Sequence, residues 1–163
     1  MPPIVSIVGE SKSGKTTLIE MLISELKSRG YRVATIKHSH HHLGFDKAGK
    51  DSWRHIQAGS AATAIVSPDE VVLIKTVTAE PDLNDVARLF GEDYDIILAE
   101  GFKQSSAPKL EVHRKSAGPP LSRVNNLIAI ATDEPLETKA RQFSLNDVIG
   151  LADFLERDFI KSK

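Results

Sequence analysis

At 163 residues, with 40% of them hydrophobic, the chain has the length and apolar content of one domain around a single sizeable core. Its 21 Lys and Arg against 22 Asp and Glu exclude the strongly basic footprint of a nucleic-acid binder, and the absence of cysteine excludes disulfides, thiolate zinc sites and cysteine nucleophiles. No apolar run approaches the roughly 20 residues that cross a bilayer, and the N-terminus lacks the pattern of a signal peptide, so the expectation is a soluble cytoplasmic protein with no membrane partner.

In chain order, Ile4 to Val8 is a short apolar run ending at a glycine, the pattern of a buried strand in a parallel sheet. From Thr16 to Arg29, Leu18, Ile19, Leu22, Ile23 and Leu26 recur at helical spacing, and Gly30 closes the helix. Arg32 to Lys37 reads as a second strand, followed by a polar stretch from His38 to Lys50 and a short helix from Ser52 to Ala58. Strands are expected at Ala62 to Val66 and Val71 to Lys75, a helix from Leu83 to Phe90, and strands at Asp95 to Ala99, Leu110 to His113 and Leu127 to Ala131. Lys115 to Asn126 reads as loop. Ser144 is the expected cap of a final amphipathic helix carrying Val148, Ile149, Leu151, Ala152, Leu155 and Phe159. Alternating strands and helices predict an α/β fold with a mostly parallel central sheet flanked by helices, and the glycine-rich turn from Gly9 to Thr16 makes this the three-layer P-loop NTPase type.

Gly9-Glu10-Ser11-Lys12-Ser13-Gly14-Lys15-Thr16 fits the P-loop (Walker A) pattern and sits where its mechanism requires, between a buried strand and a helix. In such a loop backbone amides wrap the phosphates, the lysine reaches the β and γ phosphates, and the threonine ligates Mg²⁺. Candidate nucleotide contacts are therefore Gly9, Ser11, Lys12, Ser13, Gly14, Lys15, Thr16 and Thr17. Ligands of open parallel sheets bind beyond the carboxyl ends of the strands, and four strands deliver polar residues there. They carry the P-loop, Lys37 with the histidines, Glu100-Gly101, and Thr132-Asp133. Glu100 lies at that edge, whereas Asp95, five residues earlier at about 3.3 Å each, belongs roughly 16 Å away at the opposite one. Lys15 and Glu100 are the candidate catalytic groups; Thr16, Glu100 and Asp46 are the candidate metal ligands, with Asp51 an alternative to Asp46.

Asp133 either accepts hydrogen bonds from the ring N–H and amine of guanine or shapes the turn before Pro135. His38, His40, His41 and His42 match no strong zinc spacing; they read as a solvent-facing loop that contacts an anionic ligand, with a metal site as the alternative. Arg54 is either a phosphate contact or surface charge. Lys103, Lys109, His113 and Arg114 form a second basic group, read as exposed charge or as a site for a second phosphorylated ligand.

Nearly the whole chain resembles the molybdopterin-guanine dinucleotide biosynthesis adaptor protein family, MobB. The resemblance rests on Gly9 to Leu18, on Lys37-His38-Ser39-His40-His41 continuing through Asp46-Lys47-Ala48-Gly49-Lys50-Asp51-Ser52, on Ala58-Gly59 and Glu100-Gly101-Phe102-Lys103, and on Asn146-Asp147-Val148 with Gly150-Leu151-Ala152-Asp153. It implies a homodimeric GTP-binding protein with weak GTPase activity. Its partners would be a molybdopterin guanylyltransferase, which attaches GMP to molybdopterin, and molybdopterin itself. Carried over, the P-loop matches the family's phosphate site, Glu100 its acidic strand end and Asp133 a guanine contact. Related dimeric NTPases carry a lysine at the second P-loop position that reaches the partner's nucleotide. Glu10 stands there in this chain, with Lys12 two residues on, so activation by that route is not implied. Two other readings share the phosphate loop. A small-molecule kinase would need an arginine-bearing lid, for which Arg123 and Arg141 are too scattered, and a metal-delivery GTPase would use the histidines from His38 to His42.

Overall fold

The computed structural model describes residues 1–39, 41, 44 and 46–161. The chain falls into two compact units, Met1–His38 with Asp82–Lys163, and Ser39–Pro81.

The first unit is built on a six-stranded sheet. Its strands are β1 (Ile4–Val8), β2 (Val33–Lys37), β5 (Ile96–Glu100), β6 (Lys109–His113), β7 (Leu127–Thr132) and β8 (Arg141–Ser144), in the spatial order β2-β5-β1-β6-β7-β8. Every pairing is parallel, so all the carboxyl ends share one edge. β1 is central and buried along its whole length, as its unbroken apolar run predicts. On one face, α1 (Lys15–Ser28) and α4 (Val148–Leu155) pack Leu18, Leu22, Leu26, Leu151 and Leu155 against Val5, Ile7, Leu98, Leu110 and Val112. On the other, α3 (Leu83–Arg88) sets Leu83 and Ala87 against Ile4, Ala34, Ile36, Ile97 and Ala99. Each buried Val, Leu or Ile among these contributes on the order of 1.5–3 kcal/mol.

β6 departs from that pattern. Leu110 and Val112 enter the core, while the alternate residues Lys109, Glu111 and His113 are buried beneath loops. Lys109 Nζ donates to the carbonyls of Ser105 at 2.5 Å and Ala107 at 2.9 Å, Leu121 N–H donates to Glu111 at 2.7 Å, and His113 Nε2 lies 3.0 Å from Glu134. Burial pushes the Glu111 carboxyl up and the Lys109 ammonium down. Lys109 and His113 are therefore not the exposed charges that the sequence suggests; a strand with only two core-facing apolar residues resembles surface until its other face is covered.

Two further expectations are corrected. β8 is absent from the sequence reading because Arg141-Gln142-Phe143-Ser144 has one apolar residue, yet as an edge strand it needs only Phe143 to pack against the core. Asp147, not Ser144, caps α4, accepting from Gly150 N–H at 3.0 Å; Ser144 instead pairs with Thr132 as the last residue of β8. The helix continues past Leu155 as a π-helical turn, Glu156–Ile160, and the expected loop after β6 begins with a 3₁₀ turn, Lys115–Ala117.

The second unit contains α2 (Asp51–Gln57) and an antiparallel hairpin of β3 (Ala62–Val66) and β4 (Val71–Lys75). Asp51 and Arg54 form an exposed pair at 3.7 Å.

Candidate functional site

β1 delivers the chain into the P-loop, whose shape depends on backbone that few residues adopt. Gly14 (φ 101°) and the non-glycine Lys12 (φ 64°) both lie in the left-handed region. A left-handed non-glycine residue costs of order 1–3 kcal/mol and persists where the surroundings over-determine it, commonly at functional sites. Gly9 passes so close to β6 that a Cβ would stand 2.3 Å from the Val112 carbonyl oxygen. Gly14 is the N-cap of α1, which has no acidic residue of its own in the first turn, so the positive end of the helix dipole is presented at the mouth of the loop.

Ser11, Lys12, Gly14, Lys15, Thr16, Thr17 and Glu100 line one cavity of about 390 Å³. Lys15 Nζ curls back onto the loop, donating to the carbonyls of Glu10 at 2.7 Å and Gly9 at 3.3 Å. Burial holds its ammonium below the usual lysine range, with Glu100 opposing that shift. Thr16 Oγ1 lies 3.1 Å from both carboxylate oxygens of Glu100, and Lys37 Nζ lies 3.4 Å from Oε1. Two registers produce this meeting, since Glu100 pairs with Ile7 of β1 and with Lys37 of β2. Asp95 caps the far edge by accepting from Arg32 N–H at 2.7 Å. A hydroxyl and a carboxylate converging beside a lysine-bearing amide loop form the hard oxygen set that suits Mg²⁺ bound to a triphosphate.

Beyond β5, Gly101 and Phe102 (φ 55°) turn the chain, and the Phe102 ring lies 4.9 Å from that of His38. Lys103 Nζ stands 3.8 Å from Glu10. Beyond β6, Arg114 Nε donates to the Ser13 carbonyl at 3.3 Å, a contact with the P-loop that sequence reasoning missed. Beyond β7, Asp133 accepts from Lys115 N–H at 2.8 Å. Ser13 is buried, and its Oγ has no hydrogen-bond partner among the described residues.

The strand ends of the first unit thus bring together Gly9, Ser11, Lys12, Ser13, Gly14, Lys15, Thr16, Thr17 and Glu100. Asp46 belongs to the second unit, where Ser52 Oγ donates to its Oδ1 at 2.9 Å and Oδ2 is buried with no hydrogen-bond partner among the described residues. His40 and His42 lie outside the described residues. Among those described, no group of three His, Asp or Glu is arranged to hold a metal, and no helix is long and apolar enough to cross a membrane.

Residues 4–133 match the family model described as molybdopterin guanine dinucleotide synthesis protein B, MobB. The chain belongs to the MobB family. Its similarity to curated MobB-type proteins extends over almost its full length. The molybdopterin-guanine dinucleotide biosynthesis adapter protein of Haemophilus influenzae is 44% identical over 157 residues, 94% of this chain and 88% of that one. Its Escherichia coli counterpart is 37% identical over 161 residues, 95% and 92% of the two chains. Among solved structures, a MobB homolog from Bacillus stearothermophilus superposes with a TM-score of 0.72 at 27% identity, covering 98% of this chain and 99% of the other. The fold is thus shared with a solved MobB structure, and in this chain the P-loop site lies at the carboxyl edge of the sheet.

Proposed function

We propose that this MobB-family chain is a cytoplasmic adapter in molybdopterin-guanine dinucleotide biosynthesis that binds GTP with Mg²⁺ at its P-loop and hydrolyses it slowly. The observation that carries the nucleotide reading is the convergence of Lys15, Thr16 and Glu100 on one cavity at the mouth of the P-loop. Lys15 leaves the Glu10 and Gly9 carbonyls to meet the β and γ phosphates, and the loop amides with the α1 N-terminus bind the rest of the chain of charges. Magnesium, when bound, would neutralise phosphate charge between the Thr16 hydroxyl and the Glu100 carboxylate. Glu100, braced by Lys37, orients water at that end of the triphosphate. Asp133, pinned by Lys115 N–H, keeps a carboxylate oxygen for the N–H edge of guanine. The names of the H. influenzae and E. coli relatives support the adapter role, and the transferase that joins GMP to molybdopterin is the partner it implies. A second copy of this chain is the other partner, supported by the bare apolar hairpin of the second unit.

Calorimetric titration tests the site. GTP is expected to bind in a Mg²⁺-dependent way and more tightly than ATP, and Lys15→Ala to weaken GTP about 100-fold by removing charge-assisted bonds to two phosphates. Equal affinity for ATP and GTP removes the guanine assignment; wild-type affinity in Lys15→Ala removes the P-loop assignment.

A further inference from the structure

We infer that Arg114 is the nucleoside wall of this site, its guanidinium stacking on the face of a purine whose triphosphate occupies the P-loop. The inference rests on the triphosphate reading above and extends it beyond the phosphates. Parallel pairing of β6 with β1 sets Glu111 opposite Val8, so Arg114, three residues on, overhangs the rim beside the P-loop. Its Nε is tied to the Ser13 carbonyl at 3.3 Å, and a Cβ built on Gly14 would meet Nη2 at 3.4 Å and Nε at 3.9 Å. The guanidinium therefore rests against the bare backbone of Gly14, while the residue as a whole is exposed.

Electrostatics make this an odd resting place. A cation at the positive end of a helix is unfavourable, the Glu100 carboxylate at that end is engaged by Thr16 and Lys37, and Arg114 has no ion pair among the described residues. A ligand with an electron-rich π face attached to phosphates reverses the sign of that interaction, and a planar guanidinium is suited to such a face in a way that an ammonium is not. The neighbouring bond points to the base rather than the β or γ phosphate. Lys115 N–H holds Asp133, so the two-residue segment 114–115 joins the P-loop to the carboxylate proposed to read a purine edge. One residue supplies the face contact and the other fixes the edge contact.

The test titrates wild type, Arg114→Ala and Arg114→Lys with GTP and with inorganic triphosphate, both in Mg²⁺. Arg114→Ala is expected to weaken GTP about tenfold and inorganic triphosphate less than about twofold, and Arg114→Lys to recover little of the loss. Equal losses for both ligands make Arg114 a brace of the P-loop and overturn the inference. Full recovery by lysine makes it a simple charge and overturns stacking. Wild type that binds neither ligand removes the triphosphate reading itself, whereas wild type that binds both, with an unchanged GTP-to-triphosphate ratio in Arg114→Ala, removes only this inference. Thermal melting and circular dichroism of each variant check that these exposed substitutions leave the fold intact.

Discussion

At Gly9 the space beside β6, more than backbone freedom, decides which residue can stand. An alanine methyl there would be 2.3 Å from the Val112 carbonyl and 2.8 Å from Ser13 Oγ, and a carbonyl inside the sheet has nowhere to move. Gly30 is the control: its φ of 89° strains any side chain, yet a Cβ would meet nothing within 4 Å. Gly9→Ala is expected to cost about 1–3 kcal/mol of overpacking in denaturant unfolding and to weaken GTP binding, while Gly30→Ala costs about 1 kcal/mol and leaves binding alone. Equal stability losses with equal GTP affinity would remove close approach as the reason for glycine at position 9. The residues around Gly9 were legible because a P-loop is local, and Glu100 because strand length separates it from Asp95. Arg114 was not, because its contact exists only if β6 lies beside β1, and strand order is not written in any short stretch of sequence. Lys109 and His113 were misread for the related reason that nothing local announces the loops that cover them.

Between elements, charge joins the end of α1 to the turn after α4. Arg29 pairs with Glu25 at 2.8 Å and with Asp153 and Glu156 at 2.7 Å, Tyr31 OH donates to Glu156 at 2.8 Å, and Lys161 pairs with Glu156 as well. The Lys161, Tyr31 and Arg29 bonds hold the Glu156 carboxyl at about 2, down from its ordinary 4.5. A depressed carboxylate stabilises the fold above its unfolded value and loses that effect as the pH falls through the folded one. Glu156→Gln is therefore expected to be less stable than wild type at neutral pH, with the difference shrinking below about pH 4.5 and mostly lost by about pH 2, as read from urea midpoints across that range. A difference independent of pH assigns the effect to packing instead. None of this clustering was visible in sequence, although the elements it ties were. β1, β3 and β4 have the expected ends, and Gly30 N–H closes α1 on the Lys27 carbonyl at 3.0 Å. Elements set by an apolar period or a glycine stop could be read; β8, defined by its neighbour β7, could not.

At the scale of the whole molecule, the hairpin of the second unit is the part that this chain leaves unfinished. Strand register puts Ala64, Val66, Val71 and Leu73 on one face, and all four are exposed, Val66 at 72% and Val71 at 71%. A two-stranded hairpin is marginal in water, and an apolar face of this kind marks an interaction surface. The opposite face is less bare, since Thr63 and Ile74 are partly covered. Occupation by a second copy predicts a dimer of twice 17.8 kDa in sedimentation equilibrium. Val66 and Val71 are direct cross-strand partners, so Val66→Lys with Val71→Glu sets opposite charges across the pair and keeps the hairpin intact while making the face polar. That double variant is expected to sediment as a monomer at concentrations where wild type is dimeric, because closing this face on its copy would take the introduced charges of both copies out of water and remove the apolar contact. Retention of the dimer assigns the contact to another surface, and a monomeric wild type leaves the hairpin to a different protein, for which the guanylyltransferase is the first partner to mix with it.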